Sequence, residues 1–395
     1  MSVEDGYLDR VDEIRLKMRL YFGVGAVGEV KKGLKGVKRV GVVTGKRSYR
    51  VSGAWDVVRR ALEEMEVEYA HYDGIRPNPE VSQMNEGAET LREIDPEMVI
   101  GIGGGSPLDS AKVIAVLLRS GGRSAEELFT GRFRPKDALP LLLINLTHGT
   151  GSEVDRYAVG TLPEMRVKKG AGAEVMYPLY SIDDPKLTVN LPKEQTLYVS
   201  IDAVNHATEA ATTAVSNPFT RALSIRSVRE VAEHLEGAVK NPGDLRHRYH
   251  LMHGAMLAGI AIDNSRVHIT HLLEHSISAL KPEVPHGLGL AVLLPAVLEE
   301  IYATHPGVLS EMYRPIAPGV KGGSELAKAV ERWLFDLGVK EKLSDLGFSE
   351  EDIRDLVENA VGSPAYRGTV NLSPIPFNRE IVERIYKRSL YPLTE

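Results

Sequence analysis

The 395-residue chain contains no cysteine, which excludes disulfides, thiolate catalysis, iron–sulfur clusters and cysteine-based zinc sites. Any metal must therefore be held by nitrogen and oxygen ligands. Glutamine occurs only at Gln83 and Gln195, while charged residues make up 26% of the chain. That balance is common in heat-adapted proteins and makes a thermophilic source the expectation. Positive charge is not in excess. A net charge of -6 and an isoelectric point near 6.1 leave no electrostatic footprint for nucleic acid or an anionic membrane. Apolar runs such as 113–118 and 139–144 are too short to span a bilayer, and the acidic start MSVEDGYLDR lacks the basic, then apolar, stretch of a signal peptide. A cytoplasmic protein acting on small molecules, with neither nucleic acid nor membrane as partner, is the expectation.

With 43% hydrophobic residues, the chain is long enough to exceed what one core usually supports, so two domains are expected. The first half alternates short β-branched runs (39–44, 67–72 and 98–102) with helical stretches (53–65, 79–94 and about 107–118). This rhythm predicts a parallel, helix-covered sheet. A further strand is expected at 139–145, with extended pieces at 157–161 and 179–183. Beyond Pro192 helical periodicity dominates, interrupted at 217–218, 241–243, 282–287 and 320–323. The boundary is placed near Asp184-Pro185, giving an α/β domain over 1–185 and an all-helical domain over 186–395.

Two loops in the first half suit a phosphate-bearing ligand. Gly101-Ile102-Gly103-Gly104-Gly105-Ser106 follows a strand and opens a helix, so its amides can face a pyrophosphate while glycine lets the backbone approach closely. The usual dinucleotide fingerprint follows the first strand, whereas this loop follows the third of those expected, which disfavours an ordinary Rossmann domain. Thr147-His148-Gly149-Thr150-Gly151-Ser152-Glu153 follows the next strand and offers hydroxyl and amide donors to the same ligand. A tight turn with a Ser/Thr cap is the plainer reading of that segment.

The second half concentrates histidine. Nine of the 12 histidines fall between His206 and His286. Asp202 and His206 are four apart on an expected helix, His271 and His275 repeat the spacing, and His286 follows Pro285. One such pair is usually structural, but two pairs, an acid and a Pro-His-Gly corner in a thiol-free chain favour a metal site. His268 shares the expected helical face of His271 and His275, which leaves the ligand set open at this point.

Six blocks in order carry a family resemblance: GGGSPLDSAK (103–112), THGTGSE (147–153), DPKLTVNLP (184–192), DAVNHATEA (202–210), HLLEH (271–275) and PHG (285–287). On these the chain resembles the iron-containing alcohol dehydrogenases, with glycerol dehydrogenase and, more remotely, dehydroquinate synthase as relatives. The resemblance implies a dehydroquinate synthase-like nucleotide-binding α/β domain, an all-α C-terminal domain, and metal and substrate in the cleft between them. It implies Asp202, His206, His271 and His286 as metal ligands and His275 beside the substrate, where it relays the alcohol proton. It gives Gly103, Gly104, Gly105 and Ser106 to the pyrophosphate, with Asp109, Thr147, Thr150 and Ser152 close to the phosphates and nicotinamide; Asp109 is also counted as catalytic. Lys168 matches the lysine near the cofactor ribose by its spacing back from Asp184. Iron(II) is the implied metal, with zinc as the alternative that raw affinity favours. A small primary alcohol or aldehyde is the implied substrate, and a homodimer or larger assembly the implied state.

The chain departs from the family pattern at His148 (commonly alanine), at Asn205 (commonly threonine) and over 276–279. Where NAD-dependent members carry an aspartate after the first strand, the chain reads Val43-Thr44-Gly45-Lys46-Arg47-Ser48. Glycine removes repulsion toward a 2′-phosphate, and Lys46, Arg47 and Ser48 can bind it, so NADP(H) is expected over NAD(H). The competing readings are a lyase of the dehydroquinate synthase kind, a glycerol dehydrogenase-like polyol enzyme, and a nucleotide-binding module without catalysis.

Overall fold

A computed structural model describes residues 11–394, which fall into two compact units. The first comprises Leu16–Pro192 and Asn241–Met252. It is built on strands β1 (Arg19–Phe22), β2 (Arg39–Gly45), β3 (Glu68–Ile75), β4 (Met98–Gly103), β5 (Leu141–Asn145) and β8 (Tyr180–Asp183), all parallel in the order β1-β8-β5-β4-β2-β3. Strands β6 (Tyr157–Leu162) and β7 (Val167–Gly172) form a separate antiparallel hairpin, turned by Arg166 at φ 51°.

Parallel strands covered on both faces read as nearly continuous apolar runs, and β4 and β5 do so. Their alternate residues divide between two cores. Val40, Val42, Ile100, Ile102, Leu142 and Ile144 face the helix Ala54–Glu64 through Val58, Ala61 and Leu62. Val99, Leu141 and Leu143 join the other core with Met84, Leu91, Leu108 and Ile114 from the helices Val81–Arg92 and Gly105–Arg119.

Two sequence expectations change here. The edge strand β1 was not foreseen, so the glycine loop follows the fourth strand rather than the third. The α/β unit also runs past Asp184-Pro185 to Pro192, because the turn Pro185–Thr188 buries Leu187 in the core beneath the sheet. The segment Asn241–Met252 belongs to this unit as well, with Arg248 wholly buried and bonded through Nη1 to Nε2 of His148 at 3.1 Å.

The second unit is helical, comprising Lys193–Lys240, the chain from His253 onward and the described part of Met1–Arg15. Its helices include Lys193–Thr212, Pro218–Lys240, Ile269–Leu280, His286–Ile301, Gly323–Leu337 and Arg379–Arg388. The segment His286–Thr304 is long and apolar enough to cross a membrane, yet it is mostly buried within the protein, as a core helix is. Gly287 explains how closely it packs: a Cβ there would lie 2.1 Å from the Tyr198 carbonyl oxygen, so only glycine lets this helix meet Lys193–Thr212 backbone to backbone.

In the α/β unit the equivalent tight contact is at Gly101, where a Cβ would come within 2.8 Å of Ala111 Cβ and 2.9 Å of Leu143 Cδ2. Gly101→Val is therefore expected to cost about 1–3 kcal/mol by overpacking, seen as a lower denaturation midpoint in urea. An unchanged midpoint would show that the strand and helix can separate at no cost.

Candidate metal and cofactor sites

Asp202 and His206 stand one turn apart on the helix Lys193–Thr212, His271 lies on Ile269–Leu280, and His286 opens His286–Ile301. Three helices thus deliver four donors to one point. Oδ1 of Asp202 is 3.6 Å from Nε2 of His206, 3.5 Å from Nε2 of His271 and 3.9 Å from Nε2 of His286. A tetrahedral ion with bonds of about 2.1 Å holds its donors about 3.4 Å apart, so the spacing suits a divalent metal. Two of these donors lack other work: Asp202 Oδ1 and His271 Nε2 are buried and receive no hydrogen bond from any other described residue; such atoms are costly unless a ligand satisfies them.

Two glutamates that sequence reasoning missed orient this set. His271 donates from Nδ1 to Glu209, whose other oxygen accepts from the amides of Thr270 at 2.7 Å and His268 at 3.1 Å. His286 donates from Nδ1 to Glu274, which packs against Gly289. In both rings the Nδ1 bond turns Nε2 toward Asp202 and fixes the tautomer, the usual arrangement behind a metal-ligating histidine. Glu209 and Glu274 are fully buried. Their signal was present in sequence, Glu209 three residues after His206 and Glu274 three after His271, but glutamate on a helix ordinarily reads as a solvated face.

The electrostatics call for a cation. Burial pushes the Asp202 carboxyl up, yet the imidazoles of His206, His271 and His286 outweigh it and hold the group below the usual carboxylate range. Burial would lower His271, but Glu209 and Asp202 drive its imidazole up to about 10. His206 is lowered to about 4, chiefly by burial. In the protein alone, a proton on His271 supplies the positive charge that a bound metal would bring.

His268 is removed from this group by the structure. It precedes the helix Ile269–Leu280 with φ -140° and ψ -100°, so it shares no helical face with His271, and its Nε2 pairs with Thr212 Oγ1 at 3.0 Å. His275 lies one turn beyond His271 and is partly exposed, its ring centroid 5.8 Å from that of His286 and 6.4 Å from that of His271.

In the α/β unit the two loops are pressed together. A Cβ on Gly104 would lie 2.8 Å from Thr147 Cγ2, and one on Gly105 2.6 Å from Thr150 Cγ2. Gly103 is likewise closed off by Pro107 at 2.4 Å. Gly105 starts the helix Gly105–Arg119, so its first amides, with Ser106, form a helix N-terminus beside Thr147 and Thr150. Asp109 is engaged in holding the second loop: Oδ1 accepts from Ser152 Oγ at 2.6 Å and Oδ2 from the Val159 amide at 2.8 Å. Ser152 is 3% exposed, so its hydroxyl serves Asp109. Lys168 is buried on β7, in register with Thr161.

Gly45 ends β2, and Lys46, Arg47 and Ser48 are exposed beyond it. A Cβ on Gly45 would make ordinary contacts, 3.4 Å to the Ile75 carbonyl oxygen. Gly45 stands in place of the family's aspartate, but an acid lies nearby on another strand. Asp73, from the neighbouring strand β3, accepts from Lys46 Nζ at 3.0 Å.

The departure at His148 also has a place. The residue is fully buried, its imidazole lowered to about 3 by burial and by the Arg248 charge, so it stands as a neutral acceptor for Arg248. It is packed inside the unit as a brace for the second loop.

Known proteins resemble the chain over nearly its whole length. The model of the iron-containing alcohol dehydrogenases matches residues 18–185, and that of the family's C-terminal part matches 196–390. The chain is 46% identical over 390 residues to the long-chain primary alcohol dehydrogenase AdhA of Thermoanaerobacter ethanolicus, covering 96% of this chain and 98% of that one. Among solved structures, an archaeal halo-thermophilic alcohol dehydrogenase from a Red Sea brine pool superposes with a TM-score of 0.89 at 28% identity, over 96% of this chain and all of the other. The NADH-dependent butanol dehydrogenase A of Thermotoga maritima gives 0.87 at 28% identity, over 97% and 99%. The chain belongs to the iron-containing alcohol dehydrogenase family and is a metal-dependent oxidoreductase that uses a nicotinamide cofactor to interconvert alcohols and aldehydes.

Proposed function

We propose that Asp202, His206, His271 and His286 hold one divalent metal, iron(II) or zinc, and that the enzyme exchanges hydride between NADP(H) and a small primary alcohol or aldehyde. The observation that carries the ligand assignment is the convergence of three Nε2 atoms on Asp202 Oδ1, with two of the four donors buried and unpartnered. Three neutral imidazoles and one carboxylate leave a bound dication with net positive charge. Such a metal would supply Lewis-acid stabilisation of charge on the substrate oxygen, and a bound nicotinamide would be the hydride partner.

The chain's own residues do the rest. Glu209 and Glu274 accept the Nδ1 protons of His271 and His286, which leaves each Nε2 aimed inward as the donor a metal would take up in place of a proton. His275, partly exposed and one turn from His271, receives the hydroxyl proton as the alcohol becomes an aldehyde and returns it in the opposite direction. In the α/β unit the amides of Gly104, Gly105 and Ser106 hold the pyrophosphate, with Thr147 and Thr150 beside it. Asp109 and Ser152 act by keeping that second loop in place, and Lys168 is assigned to the cofactor ribose. A dehydroquinate synthase-like lyase is disfavoured by the donor set of one aspartate and three histidines. The relative from Thermoanaerobacter ethanolicus, a long-chain primary alcohol dehydrogenase, supports a primary alcohol as the substrate class, and the scarcity of glutamine supports a heat-adapted enzyme; we place it in the cytoplasm as a homodimer or larger assembly.

The cofactor preference rests on Gly45. A carboxylate at this position would repel a 2′-phosphate, whereas glycine leaves Arg47 and Ser48 to receive it, with Lys46 offsetting the nearby Asp73 carboxylate to which it donates.

His206→Ala or His271→Ala should empty the metal site and abolish turnover, while His275→Ala should retain metal and slow turnover by roughly 10²–10⁴-fold, the usual worth of a positioned proton carrier. Elemental analysis of the purified variants separates these roles; an empty site in His275→Ala beside a full one in His271→Ala would reverse the assignment. Glu209→Gln should weaken metal binding by about 10–100-fold, read by competition with a chelator. Unaltered metal affinity would show that Glu209 does not orient His271. Steady-state comparison of cofactors should give a higher kcat/KM with NADPH than with NADH, and Gly45→Asp should move the ratio toward NADH. A native preference for NADH would contradict the reading.

A further inference from the structure

Beneath the second loop lies a pair of carboxyls that neither the metal site nor the cofactor contacts use. Glu153, in the turn Ser152–Val154, and Asp183, at the end of β8, are both fully buried, and Ser181 Oγ donates to the Glu153 carbonyl, which sets that turn against the end of β8. Neither oxygen of Glu153 receives a hydrogen bond from any other described residue, nor does Oδ2 of Asp183. The nearby charges are already committed: Lys112 Nζ donates to Asp155 at 2.7 Å and to the Tyr157 carbonyl at 2.6 Å, and Asp184 accepts from the amides of Val27 and Lys186. Two adjacent buried carboxylates with a single neutral amide donor between them cannot both be ionised, so one must donate to the other. Burial raises both groups, Asp183 to about 7 and Glu153 well above its ordinary range.

The remaining oxygen of Asp183 leads to the cofactor loop. Oδ1 accepts from Asn145 Nδ2 at 3.1 Å, across the paired ends of β5 and β8. Asn145 Oδ1 accepts in turn from the amide of Thr147 at 3.0 Å and from its hydroxyl at 3.1 Å. Asn145 is 1% exposed, so its amide has one orientation that satisfies both neighbours. Thr147 packs where Gly104 turns into the helix.

We propose that Glu153 and Asp183 hold a shared proton and act, through Asn145, as positioning residues that set Thr147 for cofactor binding. The inference rests on the assignment of Thr147 to the cofactor. While the pair keeps a proton, one carboxyl donates to the other and Asp183 stays beside Asn145. When the last proton leaves, two like charges repel in a dry interior and the Asn145–Thr147 connection is disturbed. Cofactor affinity should therefore fall from neutral to alkaline pH.

The experiment is a fluorescence titration of the metal-loaded enzyme with NADPH and NADH at neutral and alkaline pH. Native enzyme, Asp183→Asn, Glu153→Gln, Asp183→Ala and Thr147→Ala are compared. The native enzyme should lose affinity about fivefold to tenfold on going alkaline, roughly the worth of a net hydrogen bond. Asp183→Asn and Glu153→Gln each replace the titrating proton by a fixed amide donor and should lessen that loss. Asp183→Ala, which removes the anchor of Asn145, should weaken binding at both pH values and raise KM for the cofactor more than it lowers kcat. An alkaline loss of the same size in native enzyme, Asp183→Asn and Glu153→Gln would overturn the shared proton while leaving the loop assignment intact. Unchanged binding in Thr147→Ala would overturn the loop assignment and the proposal with it.

Discussion

Taking a carboxylate out of water costs several kcal/mol unless charge and hydrogen bonds replace its hydration, and the helical unit buries Asp202, Glu209 and Glu274 around the same two imidazoles. Glu209 and Glu274 meet that cost through Nδ1 of His271 and His286. Doing so commits each ring's second nitrogen to the side where Asp202 waits, so one constraint selects tautomer, ring orientation and donor spacing together. The backbone geometry serves it. Only glycine at 287 lets the helix carrying His286 approach the helix carrying Asp202 and His206, and Gly289 leaves room for Glu274. A metal held there would complete a charge balance that the fold has already prepared.

On the proposed reading the α/β unit solves a different problem, the display of backbone amides to an anion. Here crowding provides the rigidity. Gly104 against Thr147 and Gly105 against Thr150 leave no space for side chains, so the two loops hold each other. Buried polar contacts fix them from below: Asp109 on Ser152 and Val159, Asn145 on Thr147, and Arg248 on His148. None of these side chains needs to touch the cofactor to govern where Thr147 and Thr150 stand.

Much of this was legible in the sequence because it rests on local periodicity. The i, i+4 spacing of Asp202 and His206 and the glycine run after a buried strand are short-range signals, and the strands at 39–44, 98–102 and 139–145 appear within a few residues of their expected bounds. What escaped depends on distant partners. The four-residue strand β1 is recognisable only by its pairing with β8, about 160 residues later, and its absence from the reading shifted the place of the glycine loop by one strand. The strand β7, with two lysines and two glycines in six residues, carries no strand signal of its own. His268 falls into register with His271 and His275 on paper, but the helix begins after it. Asp73 answers Lys46 from the adjacent strand, and Glu209 and Glu274 look like solvent-facing residues until three helices are assembled. His148, set apart as a departure from the family, proves to be an interior residue braced by Arg248.

The central claim, a metal held by three imidazoles and one carboxylate in the helical unit, is tested most directly by X-ray absorption at the edge of the bound metal in the purified enzyme. The account predicts a first shell containing three imidazole nitrogens and one carboxylate oxygen at about 2.0–2.2 Å, and the loss of that bound metal in His271→Ala. A shell of the same composition in that variant, or one with fewer than three imidazoles in the native enzyme, would contradict it.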